Sequence, residues 1–159
     1  MKKNFVCLMT LIAGLLLPLQ VLAEAWSPLQ VALWHPAQIV PDDCRVYGLR
    51  INLLYGKNPE VWGLDLGFAN TTPDRVMGIQ AGLINGPGSL GGIGLGAINS
   101  TNRVNGVQGG ILSVAESRVN GAQISAIYNT SPEVNGLQLG LINSTSRLKG
   151  LQIGLINVV

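Results

Sequence analysis

The residues that could do chemistry are few and widely spaced. The chain has one histidine, His35, and one pair of adjacent carboxylates, Asp42 and Asp43. Two carboxylates without further ligands are a weak calcium signal and are typical of a turn. The segment 91–96 is rich in glycine, but no lysine follows it, as a phosphate-binding loop would require. We therefore predict no catalytic residue, no metal ligand and no cofactor, and we expect that the protein is not an enzyme.

Arg50 and Asp65 are the two charged residues that interrupt an otherwise uncharged pattern. Each stands two residues after a glycine, and the same place elsewhere in the chain is usually Gln. Opposite charges at equivalent places of neighbouring strands favour a cross-strand ion pair, because such pairs stabilise sheets. The alternative is a ligand-binding site in which Arg50, Asp65 and the Gln side chains line a cavity. We favour the ion pair.

A tandem repeat places these two residues at equivalent positions. Its units are 14 to 15 residues long and cover residues 46–159, and each unit contains one glycine that we call its anchor. The eight anchors are Gly48, Gly63, Gly78, Gly92, Gly106, Gly121, Gly136 and Gly150. The segment 24–45 precedes the repeat domain, and Pro28 occupies the glycine position of a degenerate first unit in it.

The pattern inside each unit alternates with a period of two. Counted from the anchor, positions one, three and five are mostly large and aliphatic, position two is usually Gln, position four is small, and position seven is usually Asn. This alternation predicts a β-strand. The stretches between strands hold Asn, Ser, Thr and Pro together with most of the charges, which is typical of solvated turns.

The units can be assembled in two ways, and both are all-β. The first is a single sheet of about 8–9 short strands in an antiparallel up-and-down meander, or a small barrel closed from it. The second is a parallel β-solenoid with one unit per coil, in which the recurrent Asn residues would form a ladder. A solenoid coil needs a second inward-facing segment, and the stretches between strands are mostly polar. We therefore favour the meander or barrel.

The aliphatic side of the predicted sheet needs a cover, because an apolar surface of this size is unfavourable in water. It can close on itself, self-associate, face lipid or meet another envelope protein. Tyr47 and Trp62 flank the aliphatic positions, as aromatic girdles do in transmembrane barrels. The partners that we expect are a membrane, another envelope protein or a second copy.

The first 23 residues have the pattern of a secretory signal peptide. Lys2 and Lys3 precede an apolar stretch, and Val21-Leu22-Ala23 offers small residues for cleavage after Ala23. We therefore expect export to the cell surface or outer membrane, with the periplasm as the alternative. Without residues 1–23 the basic and acidic residues balance at eight each. With no basic patch, nucleic acid is not an expected partner.

The segments 136–143 and 150–157, Gly-Leu-Gln-Leu-Gly-Leu-Ile-Asn and Gly-Leu-Gln-Ile-Gly-Leu-Ile-Asn, resemble the repeat of the bacterial surface-repeat proteins. The resemblance extends over residues 46–157. It implies export and a surface or outer-membrane location, and it implies no activity. Ser113 and Tyr128 depart from the pattern at the Asn position, and Ser125 departs from it at the small position, so an Asn ladder would be interrupted there.

The function that follows is an exported envelope or surface repeat protein with a structural or interaction role and no catalysis. Two alternatives stay open. One is a small integral outer-membrane β-barrel, and the other is the ligand-binding module that uses the position-two side chains.

Overall fold

The structure is a computed structural model that describes residues 26–35 and 37–159. The described residues are all-β, and none of them forms a helix that could cross a membrane. The strands are β1 Trp26–Trp34, β2 Ala37–Gln38, β3 Arg45–Lys57, β4 Glu60–Thr72, β5 Arg75–Pro87, β6 Ser89–Leu139, β7 Ile142–Ile153 and β8 Ile156–Val158. The predicted signal peptide, residues 1–23, lies outside the described residues.

The strands form one eight-stranded sheet in the order β2-β1-β3-β4-β5-β6-β7-β8. From β1 onward, every pairing between consecutive strands is parallel, and only β2 is antiparallel to β1. Equivalent residues of successive units face each other; Gly48 lies beside Gly63, and Gly63 beside Gly78. The chain is therefore a parallel β-solenoid with one repeat unit per coil. The expected antiparallel meander or barrel is wrong, and the alternative is correct.

The interior of the coil is largely polar, so a solenoid forms although the stretches between the strands are polar. Seven aliphatic side chains two residues before the anchors stack into a narrow core: Val46, Val61, Val76, Leu90, Val104, Val119 and Val134. The remaining inward side chains include Gln80, Asn70 and Thr72, which are at most 1% exposed. The polar stretch between strands thus supplies the second inward-facing segment, which we expected to be apolar.

The anchor glycines lie where successive coils approach most closely. All eight have positive φ, between 125° and 151°. A Cβ added at Gly106 would overlap the carbonyl oxygen of Gly92 in the preceding coil, and the same contact recurs at the other anchors. Positive φ is also a conformation that side chains with a Cβ rarely adopt. The sequence period therefore reflects a column in which only glycine fits.

The degenerate first unit, with Pro28, lies in strand β1. In β1, Leu29 pairs with Leu49 and Gln30 pairs with Arg50, so β1 is the coil beneath the first complete unit. A Cβ at Gly48 would meet the carbonyl oxygen of Pro28. Pro28 thus lies next to Gly48 in the same way that each anchor lies next to the anchor of the following coil.

Replacing Gly106 by Ala should lower the free energy of unfolding by roughly 2–4 kcal/mol, because the methyl group meets a backbone oxygen at a strained φ. Gly109→Ala in the same coil is the matched control. Its Cβ would lie 3.3 Å from a flexible leucine side-chain carbon, and its φ is not positive. Urea denaturation followed by far-UV circular dichroism measures both variants. Equal stability of the two would contradict the assigned close approach.

Candidate functional site

Arg50 and Asp65 form a bidentate ion pair inside the coil. The Arg50 Nε donates to Asp65 Oδ1 and its Nη2 donates to Asp65 Oδ2, both at 2.7 Å. Both side chains are 0% exposed. The two residues also pair in register between β3 and β4, as equivalent positions of successive coils. The structure thus brings together the two charges that the sequence places at equivalent positions.

The surroundings complete the hydrogen bonding of this pair. The Arg50 Nη1 donates to the Thr71 carbonyl oxygen at 3.1 Å and to Asn58 Oδ1 at 3.5 Å, and its Nη2 donates to Thr72 Oγ1 at 2.7 Å. The Nε2 of Gln80 donates to Asp65 Oδ2 at 2.7 Å. The donors of the guanidinium are therefore all engaged by the protein. A ligand at these residues would have to displace buried partners, so the geometry favours a structural ion pair.

Asp65→Gln should lower the free energy of unfolding by about 3–5 kcal/mol, because it leaves the Arg50 guanidinium buried without a counter-charge. The double variant Arg50→Gln with Asp65→Gln should recover most of that loss, since it restores the residue found at most other position-two sites. A double-mutant cycle by urea denaturation measures the coupling. If the double variant loses the sum of the two single losses, the pair is not a coupled structural unit.

In the coils that follow this pair along the solenoid axis, Gln side chains of successive coils form a ladder. Gln123 Nε2 donates to Gln108 Oε1 at 3.1 Å, Gln138 Nε2 to Gln123 Oε1 at 2.8 Å, and Gln152 Nε2 to Gln138 Oε1 at 2.6 Å. We call this series the Gln ladder. An amide suits such a column because it both donates and accepts, so each residue satisfies its neighbour. Gln108, Gln123 and Gln138 are at most 1% exposed.

A second series, the Asn ladder, runs mainly at position seven with the opposite donor direction, and Asn52 joins it from position four and Asn129 from position eight. Each Asn Nδ2 donates to the Oδ1 of the next coil, at 2.8–3.0 Å, from Asn52 through Asn70 and Asn85 to Asn99, and from Asn129 through Asn143 to Asn157. Most of these amides also donate to a backbone carbonyl of the following coil, as Asn85 does to Leu95 at 2.8 Å. The ladder therefore ties side chains and backbone of adjacent coils together.

The departures from the Asn pattern have two different outcomes. Asn129 stands in the ladder and pairs with Asn143, whereas Tyr128 pairs with Ile142. The expected interruption at Tyr128 is therefore wrong, because an extra residue in that coil shifts the count by one. At Ser113 no amide is present, and Ser125 of the next coil donates to Ser113 Oγ at 2.7 Å. Position four, which is glycine in most coils, is Ser125 in this coil, because Ser113 in the preceding coil is smaller than Asn and leaves room for the serine side chain.

The ends of the ladders are marked by buried polar atoms without a partner. Gln80 Oε1 has none, and Gly94 stands in the next coil where a Gln would donate to it. Asn129 Oδ1 has none, and it follows the break at Ser113. At the first of these breaks, Leu90 replaces Val, and its Cδ2 would lie 2.8 Å from a Cβ on Gly94. Leu90 thus fills the space that the missing Gln side chain leaves.

Leu90→Val together with Gly94→Gln should raise the free energy of unfolding by about 1 kcal/mol, because the introduced amide can donate to Gln80 Oε1 and accept from Gln108. Each single variant should lower it instead. Leu90→Val leaves a cavity, and Gly94→Gln overpacks against Leu90, each at a cost of about 1 kcal/mol or more. Thermal unfolding of the three variants tests the arrangement. Additive losses in the double variant would show that the two sites do not share one space.

The large aliphatic side chains of positions one, three and five point outward. Together they form one continuous side of the solenoid, which we call the aliphatic face. Its exposed members, between 38% and 84% exposed, are Leu64, Ile79, Ile93 and Leu151 at position one, Ile51, Leu66, Leu95, Ile124, Leu139 and Ile153 at position three, and Leu53, Phe68, Leu83, Ile111, Leu141 and Leu155 at position five. Nothing within the described residues covers this face.

An aromatic column lies beside the aliphatic face on the N-terminal coils. The rings of Trp26, Tyr47 and Trp62 are in edge-on or tilted contact, with centroids 6.1 and 6.0 Å apart, and all three side chains are exposed. The same column continues with amides in later coils, where Asn135 Nδ2 donates to Asn120 Oδ1 at 2.9 Å. One rim of the aliphatic face is therefore aromatic at its beginning and polar further along.

A charged column follows at three residues before the anchors. Arg45 lies 3.4 Å from Glu60, and Arg118 lies 2.8 Å from Glu133. The hydrogen bond from Arg118 lowers the pKa of Glu133, and the charges of Arg118, Arg147 and Lys149 add to this effect. Five arginines, two glutamates and one serine occupy this column, so positive side chains outnumber negative ones along this edge.

The remaining candidate residues lie in the N-terminal segment. His35 Nε2 is 3.8 Å from Asp42 Oδ2, beside a cleft of about 260 Å³ that Gln38 and Val40 also line. Asp43 is an exposed turn residue. In the described part of the chain, no three His, Cys, Asp or Glu side chains are grouped so that they could hold a metal ion. The glycine-rich segment 91–96 belongs to strand β6.

Comparison of the chain with protein-family models, with curated proteins and with solved structures finds no match. The fold itself defines the structural class of this protein, which is a parallel β-solenoid with amide ladders inside and an exposed aliphatic face outside.

Proposed function

We propose that this protein is an exported repeat protein of the bacterial envelope, with a structural or interaction role that it performs through its aliphatic face. One observation carries the proposal. Large Leu, Ile and Phe side chains remain 38–84% exposed along one whole side of the solenoid. A contiguous apolar surface of this extent marks a site of interaction with a protein or a membrane.

The use of the polar residues supports a role without catalysis. Arg50, Asp65 and the Gln and Asn ladders are buried, and they hydrogen-bond mainly to one another and to the backbone. Catalytic groups must instead reach a substrate at a concave site. The polar residues of this chain hold its coils together, and its surface chemistry lies on the aliphatic face.

The sequence of residues 1–23 supports export. Two lysines, an apolar stretch and the small residues before position 24 have the order that the secretion machinery reads. The resemblance to the bacterial surface-repeat proteins favours the same compartment. A cell-surface or outer-membrane location is the one we propose, with the periplasm as the alternative.

Fractionation and chemical cross-linking of bacteria that express the full chain test both parts of the proposal. We expect a processed chain that begins at Glu24 in the envelope fraction, and a chain without residues 2–23 in the cytosol. Leu95→Glu, on the aliphatic face, should abolish the cross-linked product that the processed wild type forms in intact cells. Ser100→Glu is the matched control, because it adds the same charge at an exposed position of the same coil. Intact, unprocessed protein in the cytosol would contradict export, and an unchanged cross-linked product with Leu95→Glu would contradict the role of the face.

A second candidate function is contact with a lipid surface, and the aromatic column favours it. Exposed Trp and Tyr side chains are enriched at membrane interfaces, where an apolar ring with a polar edge is stable. Trp26, Tyr47 and Trp62 stand in this way at the rim of the aliphatic face. This candidate replaces the integral barrel, which the solenoid fold does not form.

A further inference from the structure

We propose that the aliphatic face is the interface of a homodimer, in which this face of one copy packs against the same face of a second copy. The inference rests on the proposed function, which makes the aliphatic face the interaction surface, and it names the partner. It is carried by the area of the face and by its relief.

The area matches what a stable dimer buries. A Leu or Ile side chain offers on the order of 100 Å² of apolar surface, so one that is about half exposed keeps roughly 50 Å² in contact with water. Over the exposed members of the face this amounts to roughly 800 Å² per copy, which is the share that one partner contributes to a standard interface. Interfaces between identical subunits are also the most apolar class.

The relief of the face suits a second sheet. Its position-three column is interrupted by Ala81 and Gly109, and its position-five column by Ala97 and Ala126. These small residues leave hollows between the large side chains. In face-to-face packing of two sheets, about 10 Å apart, side chains of one sheet interdigitate with those of the other. A two-fold axis requires that the face be complementary to itself, and a face needs both projections and hollows to meet this requirement.

The test is the mass of the protein in solution, purified from cells that express the full chain. Light scattering and sedimentation equilibrium over a concentration series should give twice the mass of one processed chain. Leu95→Glu and Leu66→Glu should each raise the dimer dissociation constant at least about 100-fold, because they would bury an unpaired carboxylate in the interface. Ser100→Glu should leave the dimer intact, and far-UV circular dichroism should show the same β-structure in all variants.

Other outcomes overturn the dimer, and flotation with vesicles of phosphatidylethanolamine and phosphatidylglycerol separates them. A dimer that survives both aliphatic-face substitutions uses another surface. A monomer that floats with vesicles, and stops floating when Leu95 becomes Glu, has lipid as its partner; the dimer is then wrong and the proposed function stands. If the wild type is a monomer that does not float, and Leu95→Glu leaves the cross-linked product in cells unchanged, both proposals fail.

Discussion

Every coil of this solenoid must stack directly on the coil before it, about 4.8 Å away, with equivalent residues in register. This spacing is the constraint on which the other features depend. It leaves no room for a Cβ where Gly106 passes over Gly92, and it brings each inward side chain against its own kind in the next coil. Valine on valine is a tolerable contact, and amide on amide is a favourable one, because each amide donates to one neighbour and accepts from the other. A column of like charges would not be stable, and Arg50 and Asp65, the one pair of buried charges in the described coils, have opposite signs.

The same constraint makes the columns interdependent. Leu90 is larger than the valines with which it stacks, and Gly94 is smaller than the glutamines, so the two residues share one volume. Ser125 fills position four in the coil that follows Ser113, where other coils combine glycine with a preceding asparagine. A change of side-chain size in one column is thus offset by a change of size in another. The replacement fills the space but supplies no hydrogen-bond donor, so the amide oxygens of Gln80 and Asn129 have no partner.

The sequence predicted the features that depend on the repeat period, but it did not predict which side of each strand faces the interior. The anchors, the alternation and the pairing of Arg50 with Asp65 follow from spacing alone, and the structure has these residues in register. Alternation defines two faces, but it does not say which face lies inside. The expectation that both inward-facing segments of a coil are apolar favoured the meander, whereas the polar Gln80 and Thr72 lie inside. The contrary signal was the combination of glycine at position four with asparagine at position seven, which is required only where side chains fill a tight interior. Tyr128 was misplaced because a count from the anchor cannot show in which corner an extra residue lies.

The outward columns are the most informative about function, because the fold does not dictate them. Inward residues are fixed by stacking, whereas Leu66 and Leu95 project into solvent from the opposite side of the strand. Strand propensity would be served as well by threonine or tyrosine at these positions, and the chain does have the half-buried Thr71 in β4 and the exposed Ser100 in β6. Aliphatic side chains nevertheless recur at positions one, three and five of most coils, at a cost in solubility that the solenoid itself does not require. The fold of the single chain gives no reason for them, and this supports the proposal that the aliphatic face contacts a second surface.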